Sequence, residues 1–130
     1  ETYIPKSYIP SDRQRLEVYR RIGTARTAED IDRLRTELRD LFGPVPEQVN
    51  MLLDTAQIRL WADRWRIQSI IVQKPDIIFT FFDGASGIDL FARYSGTIRI
   101  PDPRTVHIRL EKSYFEIKTL LAFLRKILRQ

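Results

Sequence analysis

Apolar residues recur every three or four positions through the first half of the chain, which is the spacing of the buried face of an amphipathic helix. Ser11 and Gln14 have the spacing of a capping box at a helix start. Gly23 suits the position just past a helix end. The first predicted helix lies between these signals, and its apolar stripe consists of Leu16, Tyr19 and Ile22.

Two more helices are predicted in the same half. Thr27 and Asp30 form a second start signal, and Gly43-Pro44 ends the helix that they open. Its predicted apolar stripe consists of Ile31, Leu34, Leu38 and Leu41. A third helix is predicted from near Pro46, which a first turn tolerates, to about Trp65. Its buried face is marked by Val49, Leu52, Leu53, Ala56 and Leu60.

The hydrophobic period changes after Trp65. Residues 67–73 and 77–82 are rich in β-branched and aromatic side chains, which favour strands. Lys74-Pro75-Asp76 between them has the composition of a turn. This pair of segments is therefore predicted to form a hairpin.

The segments after the hairpin are mixed. Residues 83–87 are predicted to form a second turn, and residues 88–94 are ambiguous between helix and strand. Two further strands are predicted at residues 97–100 and 105–110, separated by Pro101-Asp102-Pro103.

A last helix is predicted to begin at Ser113, with Glu116 completing its capping box. Its apolar stripe consists of Ile117, Leu120, Leu121, Leu124, Ile127 and Leu128. The order is three N-terminal helices, a small antiparallel sheet and a C-terminal helix. Segregated helices and strands predict an α+β fold.

The length of 130 residues fits one domain spanning residues 1–130. The first residue is Glu1 rather than Met, so we interpret the chain as a piece of a longer polypeptide. The sequence has no cysteine, which excludes disulfides and cysteine-ligated zinc. No apolar run approaches the roughly 20 residues of a membrane span, and no signal-peptide pattern opens the chain. We therefore expect a cytoplasmic protein without a membrane partner.

Signals for catalysis are weak. The chain has neither a phosphate-binding loop nor a dinucleotide-binding glycine motif. The single histidine, His107, lies within a predicted strand, and we interpret it as a surface or edge-strand residue. We therefore predict that this chain is not an enzyme and holds neither a cofactor nor a metal.

The net charge of +5 is concentrated in the second half, where residues 67–130 carry a net +4. Trp61 and Trp65 lie four residues apart near Arg59, Arg64 and Arg66, as on a stacking platform for single-stranded nucleic acid. A nucleic-acid-binding accessory module is therefore an alternative function. The competing interpretation is that the strands pack against the end of the third helix and bury both rings there, because tryptophan is highly buried on average.

Two carboxylates, Glu37 and Asp40, lie three residues apart near the end of the second predicted helix. Both fall outside its apolar stripe and should face solvent. Negative charge opposes the helix dipole there by about 0.3–1 kcal/mol for each group. One interpretation is a solvated helix face on which Arg33 pairs with Glu37. The other is an acidic docking site for arginines of another domain.

The chain resembles the C-terminal domain of the bacterial transcription-repair coupling factors (Mfd). The resemblance rests on separated motifs that occur in the same order as in that family. They are Tyr3-Ile4-Pro5-x-x-Tyr8-Ile9, Asp12, Arg15-Leu16-x-x-Tyr19-Arg20-Arg21-Ile22, Glu37-Leu38-x-Asp40-x-Phe42-Gly43-x-x-Pro46 and Ile67-x-x-Ile70.

This resemblance implies a regulatory domain without catalytic residues, cut from an ATP-driven double-stranded DNA translocase that binds ATP elsewhere. Such a translocase displaces stalled RNA polymerase and recruits nucleotide excision repair through UvrA. The domain is expected to dock on the UvrA-binding module of its own polypeptide and to repress it. DNA is expected to bind the parent protein rather than this domain. The resemblance places Glu37 and Asp40 at the docking surface, facing basic residues.

The chain departs from the family pattern at one position in that motif. Residue 41 is Leu, where the family commonly has Arg. Because Leu41 continues the predicted apolar stripe, we expect the fold to be preserved. An arginine contact at this position would be missing.

Overall fold

A computed structural model describes residues 3–130, and the chain divides into two compact units, Glu1–Leu60 and Trp61–Gln130. Five α-helices and a four-stranded antiparallel sheet form within the described residues, so the predicted α+β class is confirmed. The helices are α1 (Asp12–Thr24), α2 (Ala28–Phe42), α3 (Glu47–Arg64), α4 (Gly84–Phe91) and α5 (Ile117–Leu128). The strands are β1 (Ile67–Gln73), β2 (Asp76–Phe81), β3 (Ile98–Asp102) and β4 (Thr105–Arg109).

The helix starts of the first unit form where the sequence predicts them. The side chain of Ser11 accepts a hydrogen bond from Gln14 N and caps α1. At α2, Thr27 Oγ1 accepts from Asp30 N, and Asp30 Oδ2 accepts from Thr27 N, both at 3.1 Å. The helix ends at Phe42 and is followed by the C-cap Gly43, whose φ of +91° lies in a region that favours glycine.

The core of the first unit is formed by one apolar cluster drawn from all its elements. Its buried members are Ile4, Ile9, Val18, Ile31, Leu34, Leu38, Val49, Leu53 and Ala56. The Tyr8 hydroxyl lies at the edge of this cluster, 3.1 Å from Leu38 O and 2.9 Å from Gly43 O. The hydroxyl therefore contacts the backbone at the C-terminal end of α2.

The predicted stripe of α2 is wrong at its last member. Leu41 is 72% exposed, whereas Leu34 and Leu38 are each 2% exposed. At about 100° per residue, the face defined by these two leucines continues to Phe42 rather than to Leu41. Phe42 packs against the core, with its ring 5.8 Å from that of Tyr8.

The second unit contains the sheet, in the order β1-β2-β4-β3 with every neighbouring pair antiparallel. Alternate side chains of β2 and β4 are buried on one face: Ile77, Phe79, Phe81, Val106 and Ile108. The ring of Phe91 on α4 lies 5.0 Å from that of Phe79 in an edge contact. The predicted hairpin of β1 and β2 is confirmed.

Three predictions about local structure in this unit are wrong. Residues 83–87 do not form a turn, because Asp83 accepts a hydrogen bond from Ser86 N and starts α4. Pro101 and Asp102 belong to β3 instead of separating two strands. Ser113 lies in a short 3₁₀ turn, and Glu116 caps α5 by accepting from the N–H groups of Lys118 and Thr119.

Among the helices of residues 3–130, none has both the length and the apolar composition that a membrane crossing requires.

Replacing Thr27 by Ala should destabilise the chain, because the Asp30 N–H at the exposed start of α2 loses its side-chain acceptor and keeps only the backbone carbonyl of Thr27. A lost N-cap costs about 1 kcal/mol. Thr36→Ala is the matched control, since the Thr36 hydroxyl only donates back to Asp32 O within the same helix. Urea unfolding should show a lower midpoint for Thr27→Ala and almost none of that change for Thr36→Ala. Equal midpoints would contradict a stabilising cap.

Replacing Gly84 by Ala should also destabilise the chain. An added Cβ would lie 2.6 Å from the carbonyl oxygen of Pro103, so the backbone would have to shift. Overpacking of this kind costs about 1–3 kcal/mol. Gly23→Ala in α1 is the control, because its added Cβ meets no atom of residues 3–130 within 4 Å. Thermal unfolding should separate the two variants, and a wild-type transition for Gly84→Ala would contradict the close approach.

Candidate docking site

Helix α2 projects both predicted site carboxylates away from the core of the first unit. Leu34 and Leu38 point into the apolar cluster and fix the rotation of the helix about its axis. Glu37 and Asp40 are consequently exposed, and the Glu37 side chain keeps 49% of its accessible surface. They lie three residues apart and therefore share one surface of the helix.

Glu37 is already paired within the first unit. Its two carboxylate oxygens accept from the Arg21 guanidinium on α1, with Nη2 to Oε2 at 2.6 Å and Nη1 to Oε1 at 3.2 Å. The expectation that Arg33 would pair with Glu37 is wrong, because the Arg33 guanidinium pairs with Asp30 one turn away. Two parallel hydrogen bonds give this contact the geometry typical of arginine–carboxylate pairs.

The pair affects the titration of both groups. The hydrogen bond from Arg21, followed by its positive charge, lowers the pKa of Glu37 below the usual value for glutamate. The hydrogen bond to Glu37 likewise raises the pKa of Arg21. Because Glu37 stays solvent-accessible, water and salt screen this contact, and its contribution to stability is small.

Asp40 has a different environment. Within residues 3–130 its carboxylate makes neither a hydrogen bond nor an ion pair, and its side chain is exposed. The Glu37 carboxylate is therefore paired with a side chain of a neighbouring helix, whereas the Asp40 carboxylate is available to a donor from outside this unit. This asymmetry has no signal in the sequence, because Arg21 and Glu37 are sixteen residues apart.

The aromatic pair that suggested nucleic-acid binding packs inside the second unit. Trp61 is 3% exposed, with the Arg129 guanidinium 5.3 Å from its ring. Trp65 donates from Nε1 to Leu128 O at 3.0 Å. A ring as buried as that of Trp61 cannot stack on a base. Burial by packing is confirmed for Trp61, whereas Trp65 is partly buried, and these contacts of the two rings are with the C-terminal end of α5 rather than with the strands. The alternative function loses the exposed aromatic pair that helped to motivate it.

His107 lies in strand β4, as predicted, but this strand runs between β2 and β3 and is not an edge. Its Nδ1 is 3.2 Å from Arg99 Nη2 and 3.8 Å from Asp76 Oδ2. Asp76 also lies 3.4 Å from Arg109 Nε. These polar side chains lie on the face of the sheet opposite the buried side chains of β2 and β4, and Asp76 and His107 are themselves mostly buried there. Residues 3–130 contain no cluster of three or more side chains suited to hold a metal ion.

Comparison with known proteins identifies the family. The family model described as TRCF domain matches residues 1–89, which include both candidate carboxylates. The transcription-repair-coupling factor of Bacillus subtilis is 30% identical over 86 residues, which cover 66% of this chain and 7% of that protein. The factor of Escherichia coli is 26% identical over 132 residues, which cover 98% of this chain and 11% of that protein.

A solved structure shares the fold of this chain. It is the crystal structure of the C-terminal domain of transcription-repair coupling factor, with a TM-score of 0.69 and 22% sequence identity. The match covers 98% of this chain and 87% of that structure. This chain corresponds to between 7% and 11% of the length of the two relatives described above. It belongs to the TRCF domain family, the C-terminal domain of the transcription-repair coupling factors.

Proposed function

We propose that this domain is a non-catalytic regulatory module that docks on the UvrA-binding module of its own polypeptide and represses it. The parent protein would be an ATP-dependent DNA translocase that displaces stalled RNA polymerase and recruits nucleotide excision repair through UvrA. ATP and DNA would bind to other parts of the parent, which would act in the cytoplasm. The observation that carries this proposal is the exposed pair Glu37 and Asp40, with Asp40 open to an external donor.

The position of the two carboxylates supports a role outside the stability of the domain. Both lie in the last turns of α2, where the helix dipole favours positive charge and disfavours negative charge. At Asp40, the unfavourable interaction between the carboxylate and the dipole of α2 is not offset by an ion pair within residues 3–130. A basic partner surface would remove that cost on docking.

A small surface suffices for docking within one polypeptide. The linked partner is present at a high effective concentration, so the contact does not need the area of a stable intermolecular complex. Charge pairs at interfaces of this kind contribute mainly to specificity and register. Repression then requires only that UvrA and this domain compete for one surface. The coupling free energy would be of the usual size, about 1–3 kcal/mol.

Replacing Glu37 and Asp40 together by Ala in the full-length protein should release the docked domain, because the basic partner surface loses both carboxylates. UvrA affinity and ATP turnover should both rise, with UvrA affinity increasing roughly five-fold or more. The control is Asp63→Ala/Asp89→Ala, which removes two exposed carboxylates from the second unit. UvrA titration and an ATPase assay measure the effects, and an unchanged Glu37→Ala/Asp40→Ala protein would contradict the proposal.

Replacing Arg21 by Gln should have the opposite effect, because it frees Glu37 for the basic partner and makes the docking surface more acidic. UvrA affinity should fall about two- to five-fold, the range expected for an exposed ion pair. Arg20→Gln is the control, since Arg20 pairs with Glu17 on its own helix and carries the same charge.

The Arg21 effect should also disappear when Glu37 is already Ala, because the two residues would act through one contact. A double-mutant cycle on UvrA affinity tests this coupling. Additive effects of Arg21→Gln and Glu37→Ala would show that Arg21 does not compete for the carboxylate.

A further inference from the structure

Leu41 is an apolar side chain that does not pack into the core of the first unit. It is 72% exposed, a value matched among the large exposed hydrophobic residues of the described chain only by Leu16. Leu38 and Phe42 complete the inward face of α2 on either side of it. The fold of the first unit therefore does not use this side chain. A single exposed leucine is ordinary in itself, so its neighbours decide whether it matters.

Those neighbours are the two carboxylates. Leu41 follows Glu37 by four residues and Asp40 by one, so it lies one turn above Glu37 on the same surface of α2. The surface consequently presents an apolar side chain beside two carboxylates, of which Glu37 is paired with Arg21 and Asp40 makes no ion pair within residues 3–130. Interfaces are commonly built in this way, with a desolvated apolar centre and a polar rim.

We propose that Leu41 is an apolar anchor of the docking surface formed by Glu37 and Asp40. This inference rests on the proposed docking function. The occupant is a basic surface of the parent polypeptide with an apolar depression between its positive groups. Charge complementarity favours this chemistry, because Asp40 has no basic partner within residues 3–130 and Glu37 can exchange Arg21 for another guanidinium or ammonium group. Arginine suits the rim best, since its aliphatic stem can cover Leu41 while its head pairs with a carboxylate.

The anchor and the carboxylates should differ in their response to salt. Ion pairs at an exposed rim weaken as ionic strength rises, because mobile ions screen the charges. Burial of a leucine is an effect of apolar area and is not screened. At high ionic strength, Leu41 should therefore still stabilise the docked state, although Glu37 and Asp40 contribute little to its free energy there.

The experiment measures UvrA affinity of the full-length protein at low and at high salt for Leu41→Ala, Leu41→Met and Leu16→Ala. Leu41→Ala should raise the apparent affinity about five- to ten-fold, because loss of buried apolar area opens the docked state. The salt dependence should stay that of the wild type. Leu41→Met keeps the apolar volume and should behave as the wild type, and so should Leu16→Ala, which alters an equally exposed leucine on α1.

Each contrary outcome has a distinct meaning. If Glu37→Ala/Asp40→Ala raises UvrA affinity and Leu41→Ala does not, the anchor is wrong and the docking function stands. If neither substitution changes UvrA affinity, the docking function fails and the anchor fails with it. If Leu16→Ala has the same effect as Leu41→Ala, exposed leucines act non-specifically and the anchor is overturned. Thermal unfolding should be the same for all three leucine variants, because both leucines are exposed.

Discussion

Burial of Leu34 and Leu38 in the first unit is the constraint on which the candidate site depends. These two side chains are almost fully buried, and they fix the rotation of α2 about its own axis. Once that rotation is set, the helical period determines where every other side chain of α2 points. Glu37 and Asp40 project to solvent because the leucines beside them project inward. A rotation by one residue would bury a carboxylate and expose a leucine, which the core would not tolerate.

The same constraint makes the two carboxylates different in kind. Arg21 comes from α1, and packing of α1 against the common cluster through Val18 brings its guanidinium to Glu37. Asp40 lies almost one turn further along α2 and makes no ion pair with a basic side chain of residues 3–130. On the proposed docking, the first carboxylate would exchange a partner, whereas the second would gain one. A surface with one exchangeable and one open charge would favour reversible docking, because neither the free nor the docked state would leave both charges without a partner.

The sequence predicted a helix start correctly where a single polar side chain caps that start. Ser11 and Thr27 cap α1 and α2 as predicted, because capping depends only on residues three apart. The same reasoning failed at Ser113, where Glu116 supplies two acceptor oxygens closer to the helix. It also failed at Asp83, whose neighbouring glycines suggested a turn although the side chain caps α4. In such segments more than one side chain could cap the helix, and tertiary packing determines which one does.

The site itself was predictable in part. Helical spacing alone places Glu37 and Asp40 on the outer surface, since exposure follows from period and apolar stripe. The Arg21 contact was not predictable, because it joins two helices across sixteen residues. The assignment of Leu41 to the buried face was wrong for a related reason. On one face of a helix, Leu38 can be followed by an apolar residue three or four positions later, which is Leu41 or Phe42. The packing of Phe42 against Tyr8 shows that the four-residue spacing is the buried one. That selection exposes a leucine beside two carboxylates. On the proposed docking, burial of this leucine would contribute a free energy that salt does not screen. The contribution of the two charges alone would be screened.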